Sequence, residues 1–368
     1  MRSRNLLALA AAVALAVGAA ACGSSSSSST SSSSTKKVGG TISGAGATFP
    51  QPVYDEWGNR FKSQTGTTVN YNPIGSGGGI AQFTAGTVDY GASDSAMKPE
   101  ELAAAQKKGA PVHVPTVFGA ITVSYNVSGI DKGLKLDGAT IANIFLGKIK
   151  KWNDPAITAL NPGKNLPSTA ITVVHRSDES GTTKLFTTFL QDSSPTWAKQ
   201  VGSDKTVKWP TGTGAAKNAG VAAAVKQTDG AVGYVEQAYA LQSNFTTADV
   251  KNKAGQYVAP TLESTTAAGE GLTVPSDLRF SAINKSTNPQ AYPIASATFL
   301  LVYKDQCKAG KPQNTAQLVV NWLNYALNGG QKVAPELQYA PLPANILAPA
   351  KAAVAGLVCN GSPLKPNA

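Results

Sequence analysis

The stretch from Ala170 to Leu190 constrains the fold of this chain most strongly, because it specifies one strand–loop–helix unit. An apolar run typical of a strand, Ala170–Val174, leads into the polar loop His175–Thr183, and Lys184–Leu190 has the pattern of a helix. The first amides of a helix have no partner within the helix and lie at the positive end of its dipole. This arrangement predicts a binding site for an anion, although serine and threonine residues there are also ordinary helix caps.

The composition of this loop suits an anionic ligand. Ser180 and Thr182 offer hydroxyl donors, and Gly181 lets the backbone approach closely. Arg176 adds a planar cation that binds oxyanions through paired hydrogen bonds. Taken alone, the loop fits either helix capping or anion binding. Other parts of the sequence are needed to distinguish these two interpretations.

Related patterns recur in the amino-terminal part of the chain. Gly39–Pro50 reads as a short strand that enters a glycine-rich loop, and a helix is expected after it. Thr68–Tyr71 is a second strand, followed by the loop Gly75–Gly79 and another helix, and Val88–Asp94 is a third strand that ends in a turn. Ligands of open α/β sheets collect at the carboxyl ends of the strands. We therefore expect one wall of a cleft to contain Thr48, Phe49, Ser76 and Asp94.

The remaining elements predict the fold class. Two buried strands are expected over Pro111–Val117 and Ala120–Tyr125, with a crossing between two lobes near Pro115–Gly119. Gln313–Leu327 carries its apolar residues on one helical stripe. The alternation of strands and helices along the chain predicts an α/β fold rather than an all-helical or all-β one.

The amino terminus has the pattern of an export signal. Arg2 and Arg4 precede the apolar run Leu6–Ala21, which is short for a membrane span and ends in small residues before Cys22. We expect residues 1–21 to be a signal peptide and Cys22 to become an acylated first residue. Ala19 stands where a larger aliphatic residue is usual in lipoprotein signals, which leaves cleavage without a lipid open.

The segment after Cys22 is rich in serine and threonine and contains nothing apolar to bury. Residues 22–37 are therefore expected to form a flexible tether, and globular composition begins near Val38. About 330 residues remain, which is enough for two domains of common size.

The positive charge of the chain is diffuse. The formal net charge of +11 falls by two, to +9, when Arg2 and Arg4 leave with a signal peptide. Charged residues make up 14% of the chain, and its basic cluster, Lys148–Lys151, is short. This pattern argues against nucleic acid as a partner and favours a weak field that attracts small anions, or simply solvated lysines.

The few cysteines and histidines limit the kinds of metal site and catalytic site that the chain can form. Besides Cys22, the chain contains Cys307 and Cys359, for which we expect a disulfide in an oxidising compartment, with two buried free thiols as the alternative. A disulfide there closes a loop of about 50 residues, worth about 4 kcal/mol by the loop-entropy model. With His113 and His175 as the histidines, neither zinc ligation nor a serine-hydrolase triad is expected.

At this point, motifs in a fixed order resemble the phosphate-binding protein family of the high-affinity bacterial phosphate transporter. The motifs around the predicted site are Gly44–Pro50, Ile74–Ser76, Gly91–Asp94 and Arg176–Thr182. Stretches outside the site also resemble that family, namely Leu146–Trp152, Val207–Pro210 and Gly230–Glu236. The resemblance extends over residues 40–360.

The resemblance implies a two-lobed periplasmic-binding-protein fold of type II, which closes on inorganic phosphate in a hinged cleft. It implies lobe 1 from residues 38–116 and 296–368, and lobe 2 from residues 117–295. The implied phosphate ligands are Thr48, Phe49, Ser76, Asp94, Arg176, Ser180, Gly181 and Thr182. The implied partners are the permease subunits of an importer and their ATPase, with a lipid on Cys22 as the membrane anchor, and neither a catalytic residue nor a cofactor is expected.

The chemistry of Asp94 agrees with a phosphate site. Phosphate near neutral pH keeps at least one proton, which a buried carboxylate can accept, whereas fully deprotonated sulfate would be repelled. Sulfate and molybdate are therefore weaker alternatives, and a hydrolase or a surface antigen with a vestigial site is weaker still. Asp178 is expected to hold Arg176 in place or to face solvent.

Glu179 departs from the family pattern, in which a glycine often stands at this position. A carboxylate beside an anion site would weaken binding or make it depend on pH. The alternative is an acidic residue that points to solvent and stabilises the start of the following helix.

Overall fold

The computed structural model describes residues 39–130 and 132–367 of the 368-residue chain. The predicted signal peptide (residues 1–21), the predicted acylation site Cys22 and the predicted tether (residues 22–37) lie outside the described residues. Within the described ranges, no helix combines the length and the apolar character that crossing a membrane requires.

Strands and helices alternate along the described chain, as expected of an α/β protein. The strands are β1 Gly40–Gly46, β2 Thr67–Pro73, β3 Tyr90–Ser93, β4 Pro111–Asn126, β5 Lys135–Leu136, β6 Thr172–Arg176, β7 Thr213–Ala215, β8 Ala231–Glu236, β9 Thr246–Thr247, β10 Asp249–Lys251, β11 Tyr257–Val258, β12 Ala295–Tyr303, β13 Val358–Cys359 and β14 Ser362–Pro363.

The helices flank these strands. They are α1 Gln51–Thr65, α2 Ser76–Ala85, α3 Pro99–Gln106, α4 Gly138–Phe145, α5 Pro155–Thr158, α6 Gly181–Ser193, α7 Pro195–Gln200, α8 Lys217–Gln227, α9 Gln237–Gln242, α10 Leu262–Gly269, α11 Gln313–Ala326, α12 Gly329–Val333, a 3₁₀ turn Ala334–Leu337 and α13 Ala344–Ala355. The apolar stripe predicted over Gln313–Leu327 is confirmed in α11, where Trp322 is buried and its ring lies 6.3 Å from that of Trp57 in α1.

The main sheet runs in the order β2-β1-β3-β12-β4-β8-β6-β7, with β9 paired to β4. In the first half, which we call the β1 half, β1 is parallel to β2 and β3, and β12 is antiparallel to β3. In the other half, the β6 half, β6 is parallel to β7 and β8. The long strand β4 joins the halves, because it pairs with β12 through Ala120 and with β8 from Ile121 onward.

The prediction of two separate strands was wrong, since β4 is continuous from Pro111 to Asn126. The register against β12 shifts between Thr298 and Phe299, and this irregularity accommodates Pro115, which lacks an amide hydrogen. A side chain at Gly119 would meet the Phe49 ring at 2.4 Å, so this glycine serves packing rather than chain reversal.

Two stretches predicted as loops lie partly within helices and strands. The glycine-rich stretch Gly75–Gly79 is not a loop, because α2 already begins at Ser76. A Cβ at Gly79 would lie 2.4 Å from Gly46 Cα, so the glycine permits the helix to pack directly on β1.

The loop predicted over His175–Thr183 begins within a strand and ends within a helix. Strand β6 extends to Arg176 because it pairs with β7, a short strand whose sequence carries no strand signal, and α6 begins at Gly181.

The carboxy-terminal cysteines lie together. Cys307 and Cys359 form a disulfide, with a Cα–Cα distance of 4.8 Å, that ties the segment after β12 to β13.

Candidate anion-binding site

The predicted ligand residues of the β1 half come from three neighbouring strand ends. Thr48 and Phe49 follow β1, Ser76 is the first residue of α2 after β2, and Asp94 follows β3. Parallel strands end at one edge of a sheet, and the helices that follow direct their first amides toward that edge. All of these residues are buried, Ser76 and Asp94 at 0% and 1% exposure.

The predicted residues of the β6 half lie at a fourth strand end. Arg176 is the last residue of β6, Ser180 caps α6 by accepting a hydrogen bond from the Thr183 amide at 3.1 Å, and Gly181 and Thr182 begin the helix. A Cβ at Gly181 would lie 2.3 Å from Ser76 Oγ. The two halves therefore meet at this point, and the contact leaves no room for a side chain.

Asp94 is a buried carboxylate surrounded by hydroxyl donors. Thr298 donates to Oδ1 at 2.9 Å, and Thr182 and Ser76 donate to Oδ2 at 3.3 and 3.5 Å. Burial raises the pKa of the Asp94 carboxyl to about 6, and the hydroxyl donors and the Arg176 guanidinium limit that rise. The donors come from both halves, so the carboxylate is held at their junction.

Arg176 is fixed by its own loop. Nε donates to Asp178 Oδ1 at 2.7 Å and Nη2 to Asp178 Oδ2 at 2.5 Å, while the Arg176 side chain is 1% exposed. Burial alone would raise the pKa of Asp178, but the hydrogen bonds and charge of Arg176 keep that pKa below its usual value. Arg176 Nη1 is buried and has no hydrogen-bond partner within the described residues. A buried cationic donor without a partner is costly unless an acceptor binds it.

Ion pairs connect α3 with the segment after α7. Lys205 pairs with Glu101, and its side chain is 1% exposed. Lys98 pairs with Asp204 at 2.6 Å, with side-chain exposures of 32% and 40%. The Lys205 carbonyl also accepts a hydrogen bond from the Ser180 amide at 3.0 Å, so the buried pair is linked to the anion-binding loop.

Glu179 is exposed rather than turned into the site. Its carbonyl accepts a hydrogen bond from the Gly77 amide at 3.1 Å, and a Cβ at Gly77 would lie 2.1 Å from Glu179 Oε2. The side chain therefore covers the first turn of α2, in the opposite half, where a negative charge is favourable.

Several polar residues that touch the predicted set were not candidates from the sequence. Asn218 Nδ2 donates to Thr48 Oγ1 at 2.9 Å, and the Tyr239 hydroxyl donates to the Thr48 carbonyl at 2.6 Å. Asn218 stands in the first turn of α8 after β7, the same kind of position as Ser76 and Thr182, and that position was the available signal. Tyr239 and Thr298 carry no local signal, because their contacts come from distant parts of the chain.

Among the described residues, no group of three or more histidine, cysteine, aspartate or glutamate side chains has the arrangement of a metal site. His113 is buried, and its Nε2 accepts a hydrogen bond from the Met97 amide at 3.1 Å, which agrees with a packed core residue. The predicted ligand residues offer hydroxyls, backbone amides, one guanidinium and one carboxylate.

Comparisons with known proteins show which family this chain is similar to. The model of the PBP superfamily domain matches residues 30–328. The phosphate-binding protein PstS of Pasteurella multocida is 45% identical over 309 residues, which cover 83% of this chain and 88% of the relative. The phosphate-binding protein PstS of Haemophilus influenzae is 44% identical over 313 residues, which cover 84% of this chain and 91% of that relative.

A solved structure shares the fold. It is that of a high affinity periplasmic phosphate-binding protein bound with phosphate at pH 8.5, with a TM-score of 0.68 and 23% identity over 85% of this chain and 93% of that chain. The predicted two-lobed type II fold is therefore confirmed. The chain belongs to the PBP superfamily and, within it, to the family of the phosphate-binding proteins PstS.

Proposed function

We propose that the chain binds inorganic phosphate between the two halves of its sheet. The observation that carries the proposal is the environment of Asp94, a buried carboxylate surrounded by hydroxyls from both halves. The proposed ligands are Thr48, Phe49, Ser76, Asp94, Arg176, Ser180, Gly181 and Thr182. Phe49 and Gly181 contribute backbone amides, and Arg176 contributes its free Nη1.

Asp94 selects the protonation state of the ligand. Backbone amides, a guanidinium and hydroxyls that turn from Asp94 to the ligand satisfy oxygens that only accept hydrogen bonds, whereas Asp94 in its carboxylate form needs a donor from the ligand. Phosphate and arsenate retain a proton near neutral pH and supply that donor. Sulfate does not, and its charge would be repelled by an unrelieved carboxylate.

Ligand binding favours closure of the cleft. The proposed lobe 1 is formed by residues 38–116 and 296–368, and the proposed lobe 2 by residues 117–295. The two proposed crossings lie where β4 pairs with β12, around Val117 and Ala295. Because each lobe supplies ligands, phosphate binds the closed state more tightly than the open state and shifts the population toward it.

The proposed role is that of the receptor in a phosphate importer of the ABC class. The relatives are named for phosphate binding, and the chain covers most of their length. After binding, the protein delivers phosphate to transmembrane permease subunits driven by an ATPase. This role requires neither a cofactor nor catalysis.

We also propose export and membrane anchoring. The pattern of residues 1–21 supports a signal peptide, and Cys22 is the proposed lipid attachment site, with residues 22–37 as the tether to the outer face of the cell membrane. Mass spectrometry of the processed amino terminus tests this part, because unmodified Cys22 or cleavage elsewhere contradicts the anchor.

Calorimetric titration of the purified protein with phosphate, arsenate and sulfate tests the binding function. We expect phosphate to bind, arsenate to compete with it and sulfate not to compete at equal concentration. Arg176→Ala should weaken phosphate binding by about 1.5–3 kcal/mol per hydrogen bond lost. Absence of phosphate binding, or turnover of a phosphomonoester, contradicts the proposal.

A further inference from the structure

Asn218 is a polar residue that contacts the predicted ligand residues without belonging to that set. It is 0% exposed and lies in the first turn of α8, within the β6 half. Its Oδ1 accepts a hydrogen bond from the Glu236 amide at 3.1 Å. This bond fixes the orientation of the carboxamide, because Oδ1 faces the Glu236 amide and Nδ2 must then face the predicted ligand residues.

The donor side of the carboxamide faces two hydroxyls. Nδ2 lies 2.9 Å from Thr48 Oγ1 and 3.5 Å from Thr182 Oγ1. The backbone amide of Asn218 also points to Thr48 Oγ1, at 3.4 Å. Thr48 belongs to the β1 half and Thr182 to the β6 half, so the carboxamide connects hydroxyls from both.

These contacts determine the direction of the Thr48 hydroxyl. A hydroxyl has one hydrogen and two lone pairs. In Thr48, both lone pairs receive donors from Asn218, so the hydroxyl hydrogen remains for an acceptor in the site. Without Asn218, the same hydroxyl would be free to rotate and to present a lone pair to an anion, which is repulsive.

We propose that Asn218 is a positioning residue that makes Thr48 an obligatory hydrogen-bond donor to the bound anion. The inference rests on the proposed function. Because Asn218 and Thr48 lie in opposite halves, the contact forms only when those halves meet, so the donor is oriented as the site closes. Asn218 acts through Thr48 and is not itself assigned as a ligand.

A double-mutant cycle on phosphate affinity tests this inference. Asn218→Ala should weaken phosphate binding by about tenfold or more, as expected for loss of an oriented donor to a charged ligand. In the Thr48→Val background, the same change should cost less than about threefold, because the hydroxyl that Asn218 orients is already absent. Equal effects in the two backgrounds would overturn the proposal.

A structural control separates positioning from stability. Asn252 is also a buried asparagine, but its Nδ2 bonds only backbone carbonyls, those of Pro289 and Ala291 at 2.9 and 3.0 Å among them. Asn252→Ala should lower the midpoint of denaturant unfolding without changing phosphate affinity. If Asn218→Ala lowers that midpoint and leaves affinity unchanged, Asn218 is only structural and the proposal is wrong.

The same titrations distinguish a failure of the role of Asn218 from a failure of the proposed function. A wild-type protein that binds phosphate, together with an uncoupled cycle, overturns the role of Asn218 and leaves the proposed function standing. A wild-type protein that binds neither phosphate, arsenate nor sulfate overturns both.

Discussion

The Asp178 carboxylate binds two nitrogens of the Arg176 guanidinium, Nε at 2.7 Å and Nη2 at 2.5 Å. This pairing holds the plane of the guanidinium and leaves Nη1 as the buried donor without a partner in the described structure. Asp178 Oδ1 also accepts a hydrogen bond from the Lys217 amide at 2.9 Å, which ties the loop after β6 to the start of α8. The direction of the one guanidinium in the site is therefore set by its neighbour.

Asp178→Asn should weaken phosphate binding by about tenfold, because an amide replaces one charged acceptor of the guanidinium by a donor. The measurement is a calorimetric titration with phosphate. Asp192→Asn, which removes an exposed carboxylate from α6, is the matched control and should leave affinity unchanged. Equal affinities for the Asp178 and Asp192 variants would mean that phosphate binding does not depend on the contact of Asp178 with Arg176.

Asp94→Asn should stabilise the ligand-free protein at pH 8 while it weakens phosphate binding. Burial raises the pKa of Asp94 to about 6 from an ordinary value of 3.8, so the folded state binds the proton more tightly than the unfolded state does. The free energy of unfolding therefore falls as pH rises from about 4 to about 6. A shift of this size corresponds to up to about 3 kcal/mol, as an order of magnitude.

Denaturant unfolding in phosphate-free buffer at pH 4 and pH 8 measures this difference. Burial also raises the pKa of Glu236, so each variant is compared with the wild type at the same pH to isolate Asp94. The gain from Asp94→Asn should be present at pH 8 and nearly absent at pH 4. A variant that is less stable than the wild type at pH 8 would show that the buried Asp94 carboxylate does not destabilise the ligand-free protein.

Glu101→Gln should weaken phosphate binding by at least about tenfold, since the buried Lys205 ammonium loses its charged partner when the cleft is closed. Lys98→Met breaks the neighbouring pair with Asp204, which is partly exposed, and should change affinity by less than about threefold. Unfolding of the ligand-free variants, followed in parallel, reports any general loss of stability. Equal affinity losses in both variants would show that burial of the pair does not matter.

Glu179→Gly should change phosphate affinity by less than about threefold between pH 6 and pH 8, because the carboxylate is exposed and covers the first turn of α2. Glu179→Gln, which removes the charge and keeps the length of the side chain, is the matched control. If the phosphate affinity of the wild type depends strongly on pH and this dependence disappears in both variants, Glu179 does modulate the site.

The local part of this site could be predicted from the sequence, and the part built by distant contacts could not. Thr48, Ser76, Asp94 and Thr182 each follow a recognisable strand, and parallel strands bring such ends to one edge. Thr298 donates to Asp94 across 204 positions in sequence, from the interior of an apolar strand.

The predicted boundaries failed for identifiable reasons. Two strands were expected over Pro111–Val117 and Ala120–Tyr125, but pairing with β12 and then β8 makes them one continuous strand. The glycines after Gly75 indicated a loop, but they allow α2 to lie against β1. In each case, tertiary packing outweighed the local preference of the residue.

The phosphate-to-sulfate affinity ratio of the wild type and of Asp94→Asn at pH 8 is the sharpest test of Asp94 as the residue that distinguishes the two anions. Calorimetric titration of both proteins with both anions supplies the ratio. We expect a large ratio in the wild type and a much smaller one in the variant, with weaker phosphate binding and stronger sulfate binding. An unchanged ratio would contradict the assignment of Asp94 as the group that recognises the proton of the ligand.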